Sequence, residues 1–149
     1  MSDWPVQIRT ARSSDAPALA ALLTQLGYPN TPDEVQARLT SHAREADCTF
    51  VACEADVVHG LAALHLIPMI HRDGYVARLT AFIVDESARG RGIGSALLEA
   101  CEAYAVANAA ERLEITSGDG RSRTHEFYSG RGYSREGQRF TKWLHARDK

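Results

Sequence analysis

The segment from Phe82 to Leu98 constrains the fold most, because an apolar run typical of a strand leads through a basic, glycine-dense turn into an amphipathic helix. The turn reads Arg89-Gly90-Arg91-Gly92-Ile93-Gly94. Glycine permits positive φ and lets the backbone approach a ligand closely. The first N–H groups of a helix have no intrahelical acceptor, and the helix dipole favours an anion beside them. The segment therefore predicts a strand, turn and helix that bind a phosphate group through backbone amides.

The glycine spacing excludes two common kinds of phosphate site. A dinucleotide fingerprint requires G-x-G-x-x-G, but the sixth position counted from Gly90 is Ser95. A nucleoside-triphosphate loop requires Gly-Lys-Ser or Gly-Lys-Thr, and the chain contains neither sequence. The ligand of this turn is therefore expected to be a different phosphate-bearing molecule.

Length and composition predict one globular domain spanning residues 1–149, with 44% hydrophobic residues and a net charge of -2. No basic run suggests nucleic-acid binding, and no apolar run is long enough to cross a bilayer, so we expect neither partner and a cytoplasmic location.

Cys48, Cys53 and Cys101 lack the spacing of a disulfide framework or zinc site. Reduced thiols are expected, with Cys101 on the apolar stripe of a helix.

The pattern of apolar residues and breakers predicts an α/β (α+β) fold in the order β-α-α-β-β-β-α-β-α-β, with a mixed and mostly antiparallel sheet. Thr31 and Glu34 form a capping-box pattern that opens a second, surface helix running to about Glu45. The predicted elements are a strand at Val6–Arg9, a helix from Ser13–Asp15 to Gly27, strands at Thr49–Glu54, Val57–Ile67 and Tyr75–Val84, a helix from Ile93, a strand at Arg112–Thr116, a helix at Ser122–Gly130 and a last strand or hairpin at Tyr133–Trp143.

Two separate motifs resemble those of the GNAT superfamily of N-acetyltransferases. The run Arg89–Gly94 is similar to its R/Q-x-x-G-x-G/A pyrophosphate motif, and Thr124–Tyr133 is similar to its A-x-x-F-Y-x-x-x-G-F/Y segment. The predicted element order is also that of the family. The resemblance implies acetyl-coenzyme A as the acetyl donor. Its diphosphate would contact the amides of Arg89, Gly90, Arg91, Gly92, Ile93 and Gly94 and the Ser95 hydroxyl, and its pantetheine arm the backbone of Phe82, Ile83 and Val84.

The resemblance also implies that Tyr128 lies near the coenzyme sulfur and protonates the leaving thiolate. The chemistry fits, because a thiol with a pKa near ~8.5 leaves as an anion and a phenol with a pKa near ~10 can donate a proton to it. Packing of the short helix is the structural alternative for this side chain.

The general base has three candidates in the sequence. An alkylamine with a pKa of ~10 must lose a proton before it attacks. Many family members carry a glutamate on the strand that here reads Tyr75–Phe82, yet this strand has no carboxylate. The candidates are His65, His71 and, through a water, Glu114. A histidine could serve, because imidazole changes its charge near neutral pH, and His65 is taken as the catalytic candidate.

The acceptor is expected to be a small-molecule amine in contact with Tyr28, His71 and Arg78, under the surface helix as a flap. No metal site is predicted. His59 and His65 are six residues apart, which is about 20 Å along a strand at ~3.3 Å per residue, too far to share an ion. His59 is expected at the surface, at the end of a hairpin.

A closer resemblance is to the aminoalkylphosphonate N-acetyltransferases of the superfamily. It rests on Leu64-His65-Leu66, Gly94–Leu98, His125–Tyr133 and Arg139-Phe140-Thr141-Lys142. An anionic phosphonate would then meet some of the arginines at positions 72, 78, 121, 123 and 139. Aminoglycosides, polyamines and other small amines stay open as acceptors, because the strand glutamate of those relatives is missing.

Two other functions stay open. One is a coenzyme A-binding regulatory module without turnover, suggested by the missing strand carboxylate. The other is a protein-lysine or N-terminal acetyltransferase. Homodimers are common in the superfamily, and the apolar ending Phe140–Leu144 is the candidate interface strand.

Overall fold

The computed structural model describes residues 6–41, 47–116, 122–137 and 139–146, which fall into two compact units, Met1–Thr116 and Ser117–Lys149. The first unit contains β1 (Gln7–Thr10), α1 (Ala16–Leu26), α2 (Pro32–Ser41), β2 (Cys48–Glu54), β3 (Val57–Pro68), β4 (Tyr75–Val84), α3 (Ile93–Ala107) and β5 (Ala110–Ile115), with short 3₁₀ turns at Ser13–Asp15 and Glu86–Ala88. The second unit contains α4 (Ser122–Ser129).

The first unit is built on a five-stranded sheet in the order β1-β2-β3-β4-β5. Strands β1 to β4 are antiparallel, and β5 pairs with β4 in parallel after the α3 crossover. The mixed α/β fold with a mostly antiparallel sheet is therefore confirmed. β3 is the central strand, which explains why its sequence is apolar on both faces.

Local sequence signals determine where the first two helices begin and end. Gly27 has a φ of 106° and ends α1, where the Tyr28 N–H donates to the Leu23 carbonyl at 2.8 Å, as in a Schellman motif. α2 has its predicted capping box, since the Thr31 N–H donates to Glu34 at 3.1 Å and the Glu34 N–H donates to the Thr31 hydroxyl at 3.2 Å. α2 extends to Ser41, and the rest of its predicted length lies outside the described residues.

Helices cover both faces of the sheet. α3 contacts β2, β3, β4 and β5, and it comes so close to β3 that a Cβ built on Gly60 would lie 2.8 Å from the Leu97 side chain. On the other face, α1 and α2 pack Leu19, Leu22 and Val35 against Val51 and Leu61 in a buried cluster. α2 is mostly exposed, as expected for a surface helix. Among the described residues, no helix is long and apolar enough to span a bilayer.

The prediction of a last strand at Tyr133–Trp143 is wrong for the described residues of this segment, which contain no strand. Polar residues dominate from Ser134 to Glu136, and Gly137 has a φ of 72°, so the segment lacks both the alternation and the extended backbone of a strand. Phe140 and Leu144, from the candidate interface strand, are 91% and 81% exposed.

His59 is not the surface residue that the sequence suggested. Its side chain is largely buried and contacts Glu54 at 3.1 Å. The cause is a β-bulge: Ala52 pairs with Gly60 and Cys53 with Val58, so His59 is the extra residue opposite this step. Strand hydrophobicity does not reveal such an insertion.

The cysteine predictions agree with the structure. Cys101 is fully buried on α3, and this burial raises the pKa of its thiol to about 12. Cys48, Cys53 and Cys101 are all free thiols. A protonated and buried Cys101 is a small apolar side chain and not a nucleophile.

Asp15 is a buried carboxylate that ties the start of α1 to β1. It accepts hydrogen bonds from the Arg9 guanidinium at 2.8 and 3.0 Å and from the Arg12 N–H at 2.7 Å. The hydrogen bonds from Arg9 are the main cause that lowers the pKa of Asp15, although burial opposes them. Its contribution to stability is therefore present above the unfolded-state pKa of ~3.9 and is lost as the pH falls through the lowered folded-state value.

Replacing Asp15 with asparagine is expected to reduce the free energy of unfolding by about 2–3 kcal/mol at pH 7, because Arg9 loses its partner charge. Urea unfolding at pH 7 and pH 3 measures this, and the difference from wild type should shrink at pH 3. The exposed Asp73, changed to asparagine as a control, should alter stability by less than about 0.5 kcal/mol. Equal losses for the two variants would contradict the assignment.

Candidate functional site

The site begins at β4, which continues beyond its parallel neighbour. β5 pairs with β4 from Tyr75 to Leu79, and its last residue Ile115 lies opposite Leu79. β4 continues for five more residues to Val84 and leads into the glycine-rich turn. This extension contains Phe82, Ile83 and Val84, the residues predicted to pair with a pantetheine arm. The Ile83 side chain packs in the α1 cluster, so a ligand at this strand would meet its backbone.

The glycine-rich turn has an exposed backbone. Gly90 and Gly92 have φ values of 81° and 79°, and a Cβ built on either residue would have no heavy atom within 4 Å. The residues from Arg89 to Gly92 are exposed, and α3 begins at Ile93. The Ala96 N–H makes the first intrahelical bond, to Gly92, at 3.1 Å, and Gly92 supplies no capping side chain. These amides are accessible to an anion, and the glycines leave the space free that a side chain would fill.

Hydrogen bonds to β3, to α1 and within the segment itself hold the start of the turn in place. The Asp85 N–H donates to the His59 carbonyl at 2.7 Å, and the Glu86 N–H donates to Gln25 of α1 at 3.1 Å. The Asp85 carboxylate accepts from the Ser87 N–H at 3.0 Å, and this hydrogen bond is the main cause that lowers the pKa of Asp85. The turn is therefore preorganised before a ligand binds.

Both arginine side chains of the turn are bonded to the protein. Arg89 Nε donates to the Val84 carbonyl at 3.3 Å. The Arg91 guanidinium pairs with Glu54, a buried carboxylate that also contacts His59. Both arginine side chains thus make contacts that stabilise the turn.

A pocket of about 440 Å³ lies between the sheet and the helices α1 and α2. Ala81 of the β4 extension lines it together with His65 and Asp47, and Arg12 and Arg38 also line it. The pocket therefore reaches the part of β4 that runs past β5, and it contains both a basic imidazole and a carboxylate.

Within the pocket, His65 has a polar partner on each ring nitrogen. Nδ1 lies 3.3 Å from the Asp47 carboxylate, and Nε2 lies 2.8 Å from the Thr80 hydroxyl. Thr80 reaches the imidazole because it is the extra residue of a bulge: Ala63 pairs with Ala81 and Leu64 with Leu79. A carboxylate next to Nδ1 favours the tautomer with its proton on that nitrogen, so Nε2 is the basic one.

Asp47 and Thr80 are polar partners that sequence reasoning missed. Asp47 is 18 positions from His65 in the sequence, and strand register brings the two together. The sequence contains one signal for this pairing. Asp47 stands directly before β2, and the neighbouring strand β3 carries His65.

The three residues predicted to contact the substrate lie elsewhere. Tyr28 is exposed in the α1–α2 loop, and His71 is exposed in the β3–β4 turn. The Arg78 guanidinium donates to Glu114 at 2.7 Å. None of the three is among the described residues that line the pocket. Hydrogen bonding from Arg78, followed by Arg112, lowers the pKa of Glu114, so this carboxylate is a weaker base than a free one.

Tyr128 belongs to the second unit, on α4. Its ring packs edge-to-face against Phe127 at 5.4 Å and against Tyr133 at 5.8 Å. The Tyr128 carbonyl accepts from the N–H groups of Arg131 at 2.9 Å and Tyr133 at 3.2 Å, and these bonds end the helix. The aromatic residues of the second motif are therefore packed together.

Among the described residues, no three histidine, cysteine, aspartate or glutamate side chains are grouped as metal ligands would be. Arg72, one of the arginines considered for a phosphonate, pairs with Glu111 at 2.9 Å. Position 121 and the side chain of position 123 lie outside the described residues. Arg72 and Arg78 are thus paired with carboxylates, and neither lines the pocket.

Comparison with known proteins identifies the family. The model of the acetyltransferase (GNAT) family matches residues 16–133, which span most of the chain and parts of both units. The chain therefore belongs to the GNAT family of acetyltransferases and is an acyltransferase, and members of the family use acetyl-coenzyme A as the acetyl donor.

Solved structures share the fold. An acetyltransferase from Trypanosoma brucei superposes with a TM-score of 0.80 at 22% identity, over 94% of this chain and 100% of the other. Glucosamine-6-phosphate N-acetyltransferase from Arabidopsis thaliana gives 0.79 at 18% identity, over 95% and 99%. An aminoglycoside acetyltransferase from an uncultured soil metagenomic sample, in complex with sisomicin, gives 0.76 at 15% identity, over 95% and 97%. At these identities, the similarity concerns the fold.

Proposed function

We propose that this protein transfers the acetyl group of acetyl-coenzyme A to a primary amine of a small molecule, by direct attack with both substrates bound. The observation that carries the proposal is the position of Ala81. This residue belongs to the stretch of β4 beyond β5, next to the residues assigned to the coenzyme, and it also lines the pocket that contains His65. The donor and acceptor regions therefore meet at one residue.

The amides of the glycine-rich turn would bind the diphosphate of the donor. They are exposed, their glycines leave room for a ligand, and three hydrogen-bonded contacts fix the turn. The Ser95 hydroxyl, in the first turn of α3, is a further donor. The backbone of Phe82, Ile83 and Val84 would pair with the pantetheine arm, since an extended strand offers a regular row of donors and acceptors.

His65 would act as the general base. In the transfer step, the amine nitrogen forms a bond to the acetyl carbon, the bond from that carbon to sulfur breaks, and the amine releases one proton. Nε2 of His65 would accept this proton, directly or through the Thr80 hydroxyl at 2.8 Å. The Asp47 carboxylate would orient the ring and stabilise the imidazolium that forms.

Tyr128 would protonate the departing thiolate. Replacing it with phenylalanine retains the aromatic packing against Phe127 and Tyr133 and removes only the hydroxyl. We expect turnover to fall by roughly 10- to 1000-fold, with little change in coenzyme binding. Steady-state rates and calorimetric affinities of the two proteins test this. Unchanged turnover would remove Tyr128 from the mechanism, and a parallel loss of affinity would assign it to binding.

Two of the arginines considered for an aminoalkylphosphonate acceptor lie outside the pocket lining. Arg72 and Arg78, two of the arginines considered for a phosphonate, are paired with Glu111 and Glu114. The solved neighbours carry names that refer to an aminosugar phosphate and an aminoglycoside, so the fold accommodates amines of different kinds.

The proposed reaction is tested by measuring free thiol released from acetyl-coenzyme A in the presence of a panel of small amines and lysine-containing peptides. Amine-dependent release, with small amines preferred over peptides, is expected. Release only with peptides would indicate a protein acetyltransferase. Coenzyme binding without release for any acceptor would indicate a regulatory module and would contradict the proposal.

A further inference from the structure

We propose that the acceptor is a primary amine on a compact apolar body that also carries an anionic group, which Arg12 and Arg38 bind. This inference rests on the proposed function and specifies the acceptor. It follows from three properties of the pocket between the sheet and the helices α1 and α2: the chemistry of its walls, its size and the sign of its charged groups.

The walls of the pocket are mainly apolar. Side chains from three elements form them, and several also belong to the buried cluster on this face of the sheet. They are Leu19, Leu23, Val35, Leu39, Leu61 and Ala63. Contact with such walls favours a ligand whose body is hydrocarbon, because apolar surface is removed from water on both sides. Against the apolar part of these walls, the hydroxyl groups of a sugar ring would lose hydrogen bonds with water.

The size of the pocket limits the acceptor. Its volume of about 440 Å³ lies in the lower part of the range found for small-molecule sites. A single short chain or ring fits this space. The acceptor is therefore a compact molecule.

The charged groups of the pocket favour an anion on the acceptor. Arg12 and Arg38 line the pocket, and Asp47 is the one carboxylate among the described residues that line it. Asp47 is engaged with His65. The nearby Asp15 carboxylate accepts two hydrogen bonds from the Arg9 guanidinium, so Arg9 balances its charge. An acceptor with a second positive charge would therefore face two arginines in this pocket. The one carboxylate among the described lining residues, Asp47, already contacts His65.

Arg38 lines this pocket and also has partners on its own side of the fold. Its guanidinium contacts the Asn30 side chain and lies 3.5 Å from Glu34 one turn earlier on α2. Both members of this pair are half exposed, so solvent screens their attraction and Arg38 retains donors for a further partner. Arg12 sits where β1 leads into α1, with an exposed side chain. Guanidinium donors in this setting match the oxygens of a carboxylate or phosphonate.

Three amines of equal chain length test the proposal: hexylamine, 6-aminohexanoate and 1,6-diaminohexane. They present the same apolar chain and the same primary amine, and differ only in the second end. We expect kcat/KM to be about tenfold or more higher for 6-aminohexanoate than for hexylamine, and lowest for the diamine. In the variant R12Q/R38Q, the ratio of kcat/KM for 6-aminohexanoate to kcat/KM for hexylamine, both measured on that variant, should fall to less than about threefold. The exposed Arg135, changed to glutamine, is the matched control and should preserve the wild-type order.

Several outcomes would overturn the proposal. These are a preference for the diamine, equal rates for the three amines, or an advantage of 6-aminohexanoate that survives in R12Q/R38Q. If none of the three amines releases thiol, the proposed function fails separately, and calorimetric binding of the same amines then decides. Tighter binding of 6-aminohexanoate that depends on Arg12 and Arg38 supports the assignment of the pocket. Equal or absent binding rejects it.

Discussion

Replacing Gly92 with aspartate is expected to weaken coenzyme A binding by at least about 100-fold, which corresponds to about 2.7 kcal/mol. Gly92 is the N-cap of α3 at the centre of the exposed turn. A carboxylate there would occupy the space and the positive field that the diphosphate requires, and two anions at one helix end repel each other. Calorimetric titration with coenzyme A measures the effect.

The matched control is Gly92→Asn, which has the same shape and the same cost of a φ of 79° but no charge. Asparagine and aspartate both tolerate this backbone conformation better than other side chains do. We expect the asparagine variant to bind coenzyme A within about tenfold of wild type, with both variants unfolding at similar temperatures. Equal affinities for the two variants would show that the turn does not bind an anion.

Replacing His65 with glutamine is expected to lower kcat/KM by roughly 10²- to 10⁴-fold, because the amine would lose its proton acceptor. Coenzyme A affinity should change by less than about twofold, since His65 lies in the acceptor pocket and not in the glycine-rich turn. The exposed His145, changed to glutamine, is the control and should behave as wild type.

Asp47→Asn separates orientation from proton transfer. If Asp47 orients His65 through Nδ1, this variant should lose part of kcat/KM and keep more of it than His65→Gln does, with unchanged coenzyme A affinity. Full activity in His65→Gln would rule out His65 as the base. The ion-paired Glu114 would then be the candidate to test, although its lowered pKa makes it a weaker base.

Local sequence signals predicted much of the fold. β4 has the predicted bounds Tyr75–Val84, because apolar residues fill it and turns flank it. α1 ends at Gly27 because its backbone is left-handed there, and α2 begins at its capping box because two reciprocal hydrogen bonds form. The position of the glycine-rich turn followed from the same logic, since glycine at positive φ is a local requirement.

The side-chain arrangement of the site depends on pairings that the sequence does not reveal. Thr80 meets His65 because a bulge inserts one residue into β4. Arg78 meets Glu114 because the parallel strands β4 and β5 bring residues 36 positions apart into register. This arginine was expected to contact the substrate, but it forms an ion pair with Glu114. The prediction of a last strand was wrong because it relied on local sequence alone. The apolar residues near the end of the chain are scattered, and the described residues there form no strand.

The most direct test of the central claim is amide chemical-shift mapping of the ¹⁵N-labelled protein during titration with coenzyme A and, separately, with pantetheine, which lacks the diphosphate. We predict saturable shifts of the Gly90, Gly92 and Gly94 amides with coenzyme A, and no comparable shifts of these three with pantetheine. If coenzyme A saturates the protein and leaves these three amides unchanged, the glycine-rich turn is not the diphosphate site and the account fails.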